Sequence, residues 1–175
     1  MTLKELQELF WDAAAEILGD FIKNPNKFIR WRYPESGAPD WKIADDIVFL
    51  YLNEANDEYG QQRDSQYRED DGVVYKDTTR TRVWDLQFTA YGQNSYNIAN
   101  ALKDGFFLQS IQNMMSKKEV FLVPTIPACT GAPEYFSGHW WPRCDVTLRF
   151  NEAYHTSENV GRIEEVEIST GINKP

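Results

Sequence analysis

From Thr79 to Ala90 the chain reads as a strand that alternates with a period of two. Arg82, Trp84, Leu86, Phe88 and Ala90 fall on one side, and Thr81, Val83, Asp85, Gln87 and Thr89 on the other. That period marks a strand with one buried face. Residues 140–151, WWPRCDVTLRFN, repeat the pattern after Pro142: Val146, Leu148 and Phe150 face one way, and Asp145, Thr147, Arg149 and Asn151 the other. Two such strands define a sheet whose apolar face must be covered by another layer.

Helices are the candidates for that layer. Thr2 and Glu5 form a capping box ahead of Leu3, Leu6, Phe10, Ala13 and Ile17 at helical spacing, with Gly19 as the stop. The opposite face carries Glu5, Glu8, Asp12 and Glu16 against Lys4, which disfavours a membrane-surface helix. Residues 84–95, WDLQFTAYGQNS, leave their strand through Tyr91-Gly92. Asn94 or Ser95 then caps a helix bearing Ile98, Ala101 and Leu102, broken by Gly105. A second short helix, residues 106–115, carries Phe107, Leu108, Ile111 and Met114 or Met115, with methionines as core filling.

Shorter strands are expected at 28–33, 46–52, 73–75, 120–123 and 162–169. In the last, Val166 and Ile168 point inward and Glu165 and Glu167 outward. Residues 34–40 and 127–138, rich in proline, glycine and small side chains, read as loops, with Trp41 as a plug fastening the first. Residues 53–71 carry Glu54, Asp57, Glu58, Asp64, Glu69, Asp70 and Asp71 against Arg63 and Arg68. They read as an extended acidic loop or hairpin arm that is solvated or forms an interface, because EF-hand spacing is absent. The order of elements predicts an α+β fold in a single domain spanning residues 1–175: a mainly antiparallel β-sheet with the N-terminal helix and two short helices packed on one face.

The formal charge of −9 disfavours sequence-independent binding of phosphate backbones. No apolar run nears the ~20 residues that span a bilayer, so no membrane role is expected and the chain reads as cytosolic when made. Cys129, Cys144 and His139 lack zinc spacing, and no metal or cofactor is predicted. His139 and His155 are the only histidines, neither beside a nucleophile elbow, and the phosphate-loop, dinucleotide and HExxH motifs are missing. No catalytic residue is assigned. A small α+β enzyme with residues 127–138 as its lid, and a monomeric binding protein, are the alternatives to a structural role.

Taken together, Tyr91, Gly92 and Ser95, the Ala101-Leu102 pair, the proline-bearing segment 123–127, Trp141, Arg143 and Asp145 with Phe150-Asn151, and Ile163, Val166 and Ile168 resemble the neck terminator proteins of long-tailed bacteriophages, over about residues 28–169. The resemblance implies a virion protein at the head–tail junction that assembles in the host cytoplasm. It implies a ring, six-fold, that terminates the tail tube and joins it to the head connector while DNA passes through without specific binding. The implied partners are further copies of the chain, the tail tube protein, the head-completion or connector protein, and a sheath protein where the tail is contractile. On this reading Glu54, Asp57, Glu58, Arg63, Arg68, Trp140, Trp141 and Arg143 are candidate interface residues, and Asp85, Glu165 and Glu167 candidate lumen-facing acids.

Overall fold

The computed structural model describes residues 1–33 and 41–161. Its backbone is two very long antiparallel strands, β4 (Val73–Tyr91) and β9 (Arg143–Val160), in register from Val74 opposite Val160 to Tyr91 opposite Arg143. At about 3.3 Å per residue each runs for roughly 60 Å, far beyond an ordinary strand. On the β4 side the sheet continues through β2 (Ile47–Glu54) to β1 (Ile29–Trp31), which pairs with β2 in parallel. On the β9 side it ends in β5 (Val120–Leu122) and the two-residue β6 (Thr130–Gly131). A further strand, β3 (Arg63–Asp70), pairs with the far end of β4. The fold is α+β, with the sheet mainly antiparallel.

One face of the sheet is covered by α1 (Leu3–Gly19), α2 (Ser95–Gly105) and α3 (Gln109–Ser116). The capping box is present as the sequence predicts: Glu5 N donates to Thr2 Oγ1 at 3.3 Å, and Thr2 N donates to Glu5 Oε2 at 2.8 Å. Leu6, Phe10, Ala13 and Ile17 of α1 meet Leu86, Phe88, Leu148 and Phe150 of the long strands in one core. Phe150 anchors it, with ring centroids 4.7 Å from Phe10 and 5.4 Å from Phe106. Burying each such ring contributes a few kcal/mol, so Phe10→Ala removes about 3–5 kcal/mol. Gly105 ends α2 for a packing reason, since a Cβ there would collide with the Ile17 side chain of α1. Gly92 is held by both constraints: its φ is +105°, and a side chain would strike the Asp46 carboxylate and the Asp45 carbonyl.

Three segments differ from the sequence reading. Residues 73–75 and 79–90 belong to one strand, and the strand at 143 runs on to Val160. Beyond Arg82 and Glu152 the helical layer stops, so no buried face imposes an apolar alternation. The loop expected at 127–138 contains β6 and half of a hairpin, β7 (Glu134–Phe136) paired with β8 (His139–Trp141). Its turn places Ser137 at φ 49° and Gly138 at φ 80°, the two positive angles of the tight turn that best suits strand twist. The strand expected at 162–169 lies outside the described residues.

The edge of the core is closed by a buried ion cluster. Glu152, fully buried, accepts from Arg82 Nε at 2.9 Å and Nη2 at 2.6 Å, from Trp84 Nε1 at 2.8 Å, and from the Met1 ammonium at 2.8 Å. Arg82 therefore shares the Trp84 face as an ion pair, which explains a charge in an apolar alternation. Burial pushes the Glu152 carboxyl up, but the bonds from Arg82, the ammonium and Trp84 outweigh it and hold it below the usual range. A carboxyl depressed in the folded state stabilises fully above its unfolded pKa, and that stability drains away as pH falls through the folded value. We expect Arg82→Ala to cost about 3 kcal/mol, as removal of one partner from a buried pair does. In urea titrations between pH 7 and pH 3, Glu152→Gln should flatten the acid-side loss of stability. Wild-type stability for Arg82→Ala, or an unchanged pH slope for Glu152→Gln, would contradict this assignment.

Candidate functional site

The second face of the sheet carries no α-helix among the described residues, and a short 3-10 turn, Glu58–Gln61, packs beside β4. Period-two geometry sends Phe49 and Tyr51 of β2, Asp85, Gln87, Thr89 and Tyr91 of β4, and Arg143, Asp145, Thr147 and Arg149 of β9 to this side. Its central feature is a forked ion pair across the long strands: Arg149 Nε lies 2.8 Å from Asp85 Oδ1, and Nη2 lies 3.0 Å from Oδ2. Arg149 also reaches Asp57 at 3.4 Å, and Asp57 caps a short turn by accepting from Tyr59 N at 3.0 Å. Hydrogen bonds from Arg149 to Asp85 are the main reason its guanidinium is held more firmly charged than usual. Beside this pair, Arg32 donates to Gln87 at 3.1 Å and lies over the Tyr51 ring.

Toward the other end the face turns aromatic. Trp41 packs on Tyr91, Phe49 and Trp141, with ring centroids 4.9, 5.8 and 4.7 Å away. Trp41 is thus seated in an aromatic cluster; the loop it is expected to fasten, residues 34–40, lies outside the described residues. Trp141 donates to the Phe136 carbonyl at 3.1 Å and clamps the β7–β8 hairpin to this cluster. Arg143 binds Asp145 through both Nε (3.0 Å) and Nη2 (2.8 Å), contacts Glu134 at 3.3 Å, and lies over the Tyr91 ring. Its forked bond to Asp145 raises its pKa. Tyr91 donates to Glu134 at 2.7 Å, and burial together with that bond pushes the phenol up to about 12.

The candidate residues named from sequence divide among four places in the described structure. Trp141, Arg143, Asp57 and Asp85 are brought together on the bare face, with Asp85 neutralised by Arg149 rather than presenting free acid. Trp140 stands outward on the hairpin, 65% exposed and stacked on Tyr135. Arg63 and Arg68 belong to β3, exposed along its whole length, where Arg68 binds Asp77 at 3.0 Å and Asp70 at 3.3 Å and lies over Tyr75. Glu54 ends β2 and Glu58 starts the short turn, both exposed. Glu165 and Glu167 lie outside the described residues. Sequence reasoning missed Trp41, Tyr91, Glu134 and Arg143 as a connected set, because residues of four separate segments meet there. The one local signal was Ser137-Gly138 between two aromatic pairs, a hairpin mark.

One group has the connectivity of a catalytic relay. Thr79 Oγ1 lies 3.0 Å from His155 Nδ1, and His155 Nε2 lies 3.1 Å from Glu119. His155 and Glu119 are more than half exposed, on open sheet surface, and Thr79 supplies only a weak nucleophile. Cys129 and Cys144 are free thiols, and burial raises the pKa of both, which disfavours the reactive thiolate. Among the described residues no cluster of His, Cys, Asp and Glu could hold a metal ion, and no helix is long and apolar enough to cross a membrane.

Ion pairs and clustered aromatics thus gather on a sheet face that carries no α-helix among the described residues, with a second set of aromatics on a projecting hairpin. The chain belongs to the phage neck terminator protein family, whose model matches it over residues 6–174. It is accordingly a structural component of the phage neck, part of the virion, and contacts other head and tail proteins. No curated protein matches the chain.

The Tyr91 environment can be checked directly. In an alkaline titration followed at 295 nm, Tyr91→Phe should remove a step near pH 12, and Glu134→Gln should move that step downward. A wild-type profile in which all the tyrosines, Tyr91 included, ionise near pH 10 would contradict the burial of this phenol.

Proposed function

We propose that the chain is one subunit of a ring, six-fold, that terminates the tail tube and joins it to the head connector, with DNA passing through its centre. The observation that carries the reading, beside family membership, is the two-sidedness of the subunit. A ring built head to tail needs two different contact surfaces on each copy. The helical layer and the bare, ion-paired face are such surfaces, with the β3–β4–β9 arm as a third element able to reach a neighbour or the tube.

The proposed interface comprises Trp140, Trp141 and Arg143 at the hairpin end, and Glu54, Asp57, Glu58, Arg63 and Arg68 along the segment that leads into the arm. Conduction of DNA without binding follows from the net charge of −9, because acidic walls repel phosphates and keep a passing duplex from adhering. With Asp85 compensated by Arg149, that duty falls chiefly on Glu165 and Glu167 as the lumen-facing acids. The partners on this reading are further copies of the chain, the tail tube protein, the connector or head-completion protein, and a sheath protein where the tail contracts.

Tail tubes polymerised with the purified protein should stop growing and carry it at one end. Glu165→Lys with Glu167→Lys should leave tube capping intact and reduce infectivity of the assembled phage. A strictly monomeric protein that neither binds tube ends nor arrests growth would overturn the ring, and full infectivity of the double variant would remove those two residues from the channel.

A further inference from the structure

The β7–β8 hairpin and a groove between α1 and α2 sit on opposite sides of the sheet, and we infer that the hairpin of one subunit seats in the α1–α2 groove of the next copy. The inference rests on the ring reading and names the contact that would close the ring.

The hairpin presents Tyr135, Phe136 and Trp140 at 62, 65 and 65% exposure. Three adjacent large aromatics on six paired residues form an apolar patch of the sort that marks an interaction site. It is presented rigidly: the turn is tight, Tyr135 and Trp140 stack at 5.2 Å, and Trp141 is pinned between the Phe136 carbonyl and Trp41. A preformed hairpin loses little freedom on docking. Through Trp141 it belongs to the bare face of the sheet.

The groove lies in the helical layer. Its floor is Ile17, Phe21, Ala101 and Leu108, its rim carries Asp20 and Asp104, and it encloses about 630 Å³. That lies inside the ~300–1,000 Å³ range of sites that bury a ligand the size of two aromatic side chains. Phe21 and Leu108 are 66 and 51% exposed, so the groove too is apolar surface awaiting a cover. The carboxylate of the hairpin, Glu134, is held by Tyr91 and Arg143, so it is already compensated before it meets a rim that carries two aspartates.

A second copy is the occupant because one chain carries both halves, on opposite faces, as head-to-tail closure requires. Three aromatics at these exposures offer on the order of 400 Å², about half of what each partner of a standard stable interface buries. A single such contact is therefore weak, and closure relies on its repetition around the ring.

The test uses two full-length variants, Trp140→Glu in the hairpin and Leu108→Glu in the groove, with self-association measured by sedimentation over a wide concentration range. Both side chains are exposed, so melting temperatures should match wild type. Should Leu108→Glu melt lower, Phe21→Glu replaces it. Each variant alone should associate about 30-fold more weakly, as loss of an interface anchor implies. An equimolar mixture should recover pairing but stop at dimers, since only the intact hairpin of one variant can enter the intact groove of the other. Wild-type association by either single variant, a mixture no better than its components, or wild-type protein that remains monomeric throughout would each overturn the contact. Capping of tail tubes by the same preparations separates the two ideas: Trp140→Glu that still caps and closes rings sinks the hairpin contact alone, whereas wild type that fails to cap sinks the ring itself.

Discussion

The ladder between β4 and β9 is the constraint on which the rest of the structure depends. Eighteen consecutive residue pairs hold the two strands in register, and every other strand of the main sheet attaches to one of them directly or through β2. Because the side-chain period is two, that register fixes which residues meet the helices and which do not, and a slip by one would exchange the faces. Over residues 83–91 and 143–151 the ladder supports a packed core on one side. Beyond Arg82 and Glu152 it runs on as a polar three-stranded arm with β3. The buried Glu152 cluster sits at this junction and satisfies its charge just where apolar burial ends.

This geometry explains what the sequence discloses. Trp84, Leu86, Phe88, Val146, Leu148 and Phe150 are legible because each lies opposite a helix, and burial of one face writes the alternation into the chain. The capping box of α1 and the Tyr91-Gly92 exit are equally local and equally legible. The continuity of the arm is not, because Lys76, Asp77 and Thr78 in β4 and the run from His155 to Asn159 in β9 supply no apolar alternation. The hairpin at 134–141 is hidden by its proline and glycine neighbours, although those residues interrupt only the flanking pairs. The bare-face cluster was beyond reach for a different reason: Trp41, Tyr91, Trp141, Arg143 and Glu134 come from separate segments, and only the sheet register brings them together.

The charges tell a similar story. Read along the chain, residues 53–71 are strongly acidic. In the fold, Arg68 answers Asp70 and Asp77, Lys76 answers Glu158, and Arg149 answers Asp57 and Asp85. Exposed pairs of this kind add little stability. Their contribution is to fix side-chain orientation on a surface that, among the described residues, has no α-helix to cover it, which suits a structural protein of the phage neck.

The account as a whole is a two-sided subunit: a helical layer with a groove, a bare face with an aromatic hairpin, and a rigid double strand between them. A reconstruction of the intact head–tail junction tests it most directly. The account predicts copies of this chain related by rotation about the tail axis, each with its hairpin against the α1–α2 side of the next. Copies that meet like face to like face, or a neck from which the chain is missing, would contradict it.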